Sequence, residues 1–102
     1  MRRGDVWWVE ARDSRRPHLV LTRDAAIGVL NSVLAVPATR TVRGIPSEVP
    51  LGPEHGMPED CALTLDNTRV VAKRLFVERI CTLDAETMRS VCRALGRATG
   101  CD

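Results

Sequence analysis

The chain of 102 residues has no tyrosine, one phenylalanine and two tryptophans. Three aromatics are too few for a stacking platform, which argues against a simple base-stacking RNA module. Long apolar runs are missing too: none approaches the ~20 residues that a membrane helix needs. The four cysteines, Cys61, Cys81, Cys92 and Cys101, contain no C-x-x-C pair. With His18 and His55 they lie at spacings that suggest no shared metal site, so no metal or cofactor is expected. The thiols read as buried or idle. No internal repeat or low-complexity segment is visible.

What is present is ordinary for a soluble globular domain: 44% hydrophobic and 27% charged residues, with a net charge of +2. Residues 1–102 read as one domain. The start, "MRRGDVWWVE", meets Asp5 and Glu10 too soon for a signal peptide, so a cytoplasmic location is expected. The charge is unevenly placed. Arg12 to Arg43 holds six Arg against two Asp, whereas Glu48 to Asp66 holds five carboxylates and no Lys or Arg. Fourteen of the fifteen basic residues are arginine. That bias reflects either arginine-rich codon usage or phosphate recognition, where the planar fork grips oxygens in pairs.

Val6–Glu10 reads as a first strand, with Val6 and Trp8 on one face and Trp7 and Val9 on the other. One Trp is expected in the core and the other at a subunit contact or rim. "ARDSRR" reads as a polar connection and "PHLVLTR" as a second strand. "DAAIGVLN" reads as a helical turn broken at Gly28, and "VLNSVLAVPA" as a long, central third strand. "SEVPL", "CALTLD", "NTRVV" and "VERIC" follow as short strands, with "GPEHGMPED" a loop. Asp84 is the expected N-cap of a terminal helix, with Leu83 stapling onto Met88. Met88, Val91, Cys92 and Leu95 form its apolar stripe. The pattern predicts a small, mostly antiparallel, barrel-like sheet with one C-terminal helix.

"RGDVWWVE", "RRPHLVLTRD", "VLAVPATRTVRGIPSEVPL", "CALTLDNTRVV" and "ERICTLDAETMRSVCRAL", in this order, resemble the MazF/PemK toxins of toxin–antitoxin modules. Each motif is weak alone; five in sequence are specific. The resemblance implies an SH3-like, CcdB–PemK-like antiparallel β-barrel with a C-terminal α-helix. It implies a homodimer, an acidic MazE-like antitoxin and metal-independent, sequence-selective cleavage of single-stranded RNA. It makes Arg16, which leads the R-P-x-L-V strand, the catalytic arginine, and Thr39 its partner. The loop carboxylate that some members place before R-P has no match here.

Metal-free cleavage turns the ribose 2′-OH onto the adjacent phosphate. An arginine and a hydroxyl suit the extra negative charge of the phosphorane that forms. His18, at the x of R-P-x-L-V, is the candidate acid or base; the alternative is a core histidine filling a Val-sized site. Asn67 and Arg69 resemble the family's substrate-contacting segment, with an Asx turn as the other reading of Asp66-Asn67. Arg15, Arg40 and Arg43 are candidate RNA contacts, or solvated loop charges. A different class of reading is a non-catalytic CcdB-like toxin that acts on gyrase through protein contacts; the Arg16–Thr39 pair argues against it.

Overall fold

The hairpin that opens the chain, between strands Asp5–Ala11 and Ser14–Val20, turns on only two residues, Arg12 and Asp13. The computed structural model describes residues 1–101. Its strands are β1 (Asp5–Ala11), β2 (Ser14–Val20), β3 (Ser32–Thr39), β4 (Glu48–Leu51), β5 (Cys61–Thr64), β6 (Arg69–Ala72) and β7 (Phe76–Thr82). Two helices, α1 (Asp24–Ile27) and α2 (Ala85–Thr99), complete it, with 3₁₀ turns at Pro53–His55, Leu65–Asn67 and Lys73–Leu75. Arg12 takes a φ of 40°, the left-handed value that lets so short a turn close. Ladder pairing therefore resumes at once, from Ala11 opposite Ser14 to Val6 opposite Leu19. This corrects the expected boundary: Arg15 and Arg16 lie within β2, not in a loop before it.

All strand pairs are antiparallel, in the order β4-β5-β3-β2-β1-β7. β3 is central, as expected, and divides its work. Ser32–Ala35 pairs with β6, while Ala38 and Thr39 pair with Leu63 and Ala62 of β5. The strand starts later than the apolar run suggests. Gly28 caps α1, and the amides of Val29 and Leu30 turn back to the Ala26 carbonyl at 3.1 Å each. The fold class is as expected, mainly antiparallel β with a C-terminal helix; the terminal strands β4 and β7 do not pair, so the sheet stays open rather than closing into a barrel. β4 is short and joined to β5; α2 packs against it instead of another strand.

Two apolar clusters explain the near-continuous apolar character of β2 and β3. Val6, Leu19, Val36, Ala38 and Leu63 join Met88, Val91 and Ala94 of α2 in the larger one. Val9, Val20, Val33, Ala35, Val71 and Phe76 form the smaller one on the opposite face. Asp84 caps α2 as expected, its Oδ1 accepting from the Thr87 amide at 2.8 Å. Leu83 and Met88 are buried in the same cluster. Cys92 is a correction: it is exposed, with an Arg3 Nη2 3.2 Å from its sulfur, because Ala94 rather than Cys92 turns inward. Both Trp7 and Trp8 are half-buried. Among the described residues no helix is long and apolar enough to cross a membrane.

Candidate active site

The β2–β3 register pairs His18 with Pro37, Leu19 with Val36 and Val20 with Ala35. The ladder ends there, and Arg16 near the start of β2 and Thr39 at the end of β3 lie at the same end of the two antiparallel strands. Arg16 is half-buried and donates from Nη2 to the Ala38 carbonyl at 3.0 Å. Pro17 and Pro37 limit the backbone next to them. The Thr39 hydroxyl accepts from the Thr41 amide at 3.2 Å, leaving its own hydrogen available for donation.

A cleft of about 430 Å³ opens at this point. Arg15, Arg16, Thr39 and Arg40 line it together with Trp8. The guanidinium of Arg15 lies 5.0 Å above the Trp8 ring and pairs with Glu10 at 3.4 Å and Glu78 at 3.1 Å. These exposed pairs add little stability but hold the arginine over the cleft mouth. Met57, Pro58, Glu59 and Cys61 complete the lining. They were not legible as site residues in the sequence. The signal that places them is Gly56, whose φ of 96° and whose missing Cβ, which would lie 2.7 Å from the Cys81 Cβ, press that loop against β7. Arg40 Nε donates to Glu59 Oε1 at 2.8 Å, tying the two parts of the lining together. Burial, aided by Glu59 and Asp60, pushes the Cys61 thiol up, so it stays protonated at neutral pH.

Four of the expected residues thus meet in the cleft; the others do not. Arg43 lies in the loop before β4, where the Glu48 carboxylate accepts from its amide and from that of Gly44. Asn67 is exposed in its 3₁₀ turn. The carboxylate of the neighbouring Asp66 accepts from the Ser47 hydroxyl at 2.5 Å. Arg69 is on β6, with Nη2 2.7 Å from the Nε2 of His18.

His18 is 1% exposed and lines no part of the cleft. Its Nδ1 faces the Arg16 carbonyl at 3.1 Å. A carbonyl only accepts, so Nδ1 carries the hydrogen and Nε2 is the acceptor that takes the Arg69 N–H. Burial, against the bond to the Arg16 carbonyl and with help from Arg69 and Arg16, pulls its pKa down to about 4. The ring is therefore neutral at pH 7, with both nitrogens engaged.

Fold and cleft together define a small, mainly antiparallel β protein with one terminal helix and an anion-suited cleft at its rim. The family described as "PemK-like, MazF-like toxin of type II toxin-antitoxin system" matches residues 2–99, and the chain belongs to it. It is 44% identical over 101 residues to the probable endoribonuclease MazF5 of Mycobacterium tuberculosis, covering 97% of this chain and 93% of that protein. Among solved structures, the Mycobacterium tuberculosis toxin MazF-mt6 matches with a TM-score of 0.88 and 30% identity, over 96% of this chain and 98% of that one. An endoribonuclease in complex with its cognate antitoxin, from a mycobacterial species, matches with a TM-score of 0.91 and 25% identity, over 100% and 97%.

Proposed function

We propose that this chain is an endoribonuclease toxin that cuts single-stranded RNA in the cytoplasm and is silenced by an acidic, MazE-like antitoxin. The observation that carries this reading is that Arg16 and Thr39 line one arginine-rich cleft, with Arg16 held on the carbonyl of Ala38 beside Thr39. Relatives named as endoribonucleases support the activity, and the antitoxin complex of a structural neighbour supports the partner. The CcdB-like alternative is not favoured by those names.

In this mechanism the ribose 2′-oxygen attacks the adjacent phosphorus without a metal. Arg16 and the Thr39 hydroxyl are the catalytic residues: both donate to the oxygens on which charge builds. Arg15 and Arg40 hold flanking phosphates at the cleft, and Arg43, Asn67 and Arg69 extend the track beyond it. His18 holds Arg69 and the Arg16 backbone instead of moving a proton. Its Nε2 is occupied by Arg69, and the ring is buried away from the cleft. The subunit pairs as a homodimer through the exposed apolar side of β3 and β6.

The test is an RNA bearing one deoxyribose on the 5′ side of the scissile bond. It is expected to bind and to resist cutting. The natural RNA is expected to be cut in EDTA, to give a 2′,3′-cyclic phosphate and a 5′-hydroxyl. A 5′-phosphate product in place of the cyclic one shows that water attacked, and the reading fails.

A further inference from the structure

An attacking 2′-hydroxyl has to lose its proton, and neither residue of the Arg16–Thr39 pair is suited to take it. Arginine stays charged at any working pH, and a threonine hydroxyl is no base. His18 is buried behind the strand, with Nε2 taken by Arg69 at 2.7 Å. The cleft itself contains one carboxylate among the described residues, that of Glu59, which shares its lining with Arg16 and Thr39 and is bonded to Arg40, the residue after Thr39.

We infer that Glu59 is the general base of the reaction, presented by the Met57–Glu59 loop and aimed by Arg40. Its side chain stands half-open to solvent at 53% exposure, as a group meeting a flexible substrate must. Arg40 Nε donates to Oε1 at 2.8 Å, which leaves Oε2 without a partner in that pair. Pro58 restricts the backbone immediately before it, and buried Cys61 anchors the chain two residues after. The loop cannot drift from the cleft without opening the contact of Gly56 with Cys81.

The step balances without further reagents. The 2′-O–H proton passes to Oε2 of Glu59 as the 2′-oxygen bonds to phosphorus. The bond from phosphorus to the 5′-oxygen breaks on the opposite side, and that oxygen takes a proton from water. Glu59 then returns its proton to solvent. The carboxylate also competes with substrate phosphate for Arg40, so releasing it is expected to leave RNA affinity equal or tighter.

This inference rests on 2′-OH attack at Arg16–Thr39, and the experiment separates the two. Single-turnover cleavage is measured for Glu59→Gln, Glu59→Ala, Asp60→Asn and Arg16→Ala, with binding measured on the deoxy-substituted RNA. Loss of a base costs on the order of 10²–10⁴ in rate. That loss is expected for both Glu59 variants, with binding of the deoxy RNA undiminished and Asp60→Asn within threefold of the parent. Formate, a small carboxylate able to enter the space left in Glu59→Ala, is expected to restore part of its rate. Glu59→Gln cutting within threefold of the parent while Arg16→Ala is dead removes the base assignment alone. A Glu59→Ala defect found wholly in binding removes it as well, and makes Glu59 a support for Arg40. Full activity in both Arg16→Ala and Glu59→Gln overturns the reading beneath.

Discussion

His18 is neutral because folding puts it in a place where charge is expensive. Its pKa falls from 6.5 to about 4, so the unfolded chain binds a proton in that window and the native chain does not. A depressed folded pKa means stability is fully present above pH 6.5 and is lost as the pH falls toward 4. The shift amounts to roughly 3 kcal/mol over the window. Asp5, a buried carboxyl, acts lower. Burial pulls its carboxyl up, but bonds from Thr82, the Arg2 amide and Trp7 outweigh that and leave it below the usual carboxylate value. Urea unfolding at a series of pH values is expected to show a slope between pH 6.5 and 4 that is missing in His18→Gln. An unchanged slope in that variant rules out the assignment. At the same scale, Arg16→Ala and Thr39→Ala are each expected to lower cleavage by on the order of 10²–10³ while leaving the fold intact, read by rate and by circular dichroism. Near-parental cleavage by Arg16→Ala would take away the centre of the mechanism.

Helix α2 is held by its cap and by three inward residues, and the two contributions separate by substitution. Asp84→Ala removes the acceptor of the Thr87 amide and is expected to lower stability, read as a fall in Tm. Met88→Ala empties a buried site and is expected to cost about 2–5 kcal/mol. Neither residue touches the cleft, so cleavage per folded molecule stays unchanged in both; a selective loss of rate in Asp84→Ala contradicts this separation. The cap was readable in the sequence because capping is local: an Asp, three residues, an amide. The stripe was readable only in part. Cys92 has the right spacing from Met88, yet Ala94 takes the inner position, since the tilt of a helix against its sheet is not encoded in spacing. The same division runs through the site. Arg16 and Thr39 stand in the stretches on which the family resemblance rests. The rest of the lining, Met57–Glu59, belongs to a Gly/Pro loop whose path depends on Gly56 meeting Cys81, two residues far apart in the chain. The fold class was legible, but the opening of the sheet was not, for a similar reason: strand count and alternation say nothing about whether the last strand meets the fourth.

At the scale of the whole molecule, the sheet has an uncovered side that one subunit does not use. Leu34 of β3 and Val70 of β6 are register partners, exposed at 48% and 69%. Val29 and Leu30, at 81% and 44%, lie in the turn entering β3. That turn is clamped to the end of β6: the Lys73 amide donates to the Asn31 carbonyl at 2.9 Å, and Lys73 Nζ donates to the Ile27 carbonyl at 2.6 Å. Apolar side chains on paired strands, next to a β6 edge that no other strand covers, are what a second copy would bury. A chain of 11.3 kDa also gains most from added burial, because small domains hide a low fraction of their surface. Sedimentation at micromolar concentration is expected to give twice the chain mass for the parent. The double variant Leu34→Glu, Val70→Glu is expected to give the single mass, with its fold retained because neither side chain is in the core. The cleft lies at the other end of β3, beyond Pro37, so deoxy-RNA binding to each monomer is expected to fall by less than tenfold. An acidic partner that spans both copies is expected to lose far more, since two linked contacts become one. Its association with the parent slows as salt rises, as charge-steered encounters do. A parent chain that sediments only as monomer, or a double variant that stays dimeric, places the contact elsewhere on the molecule.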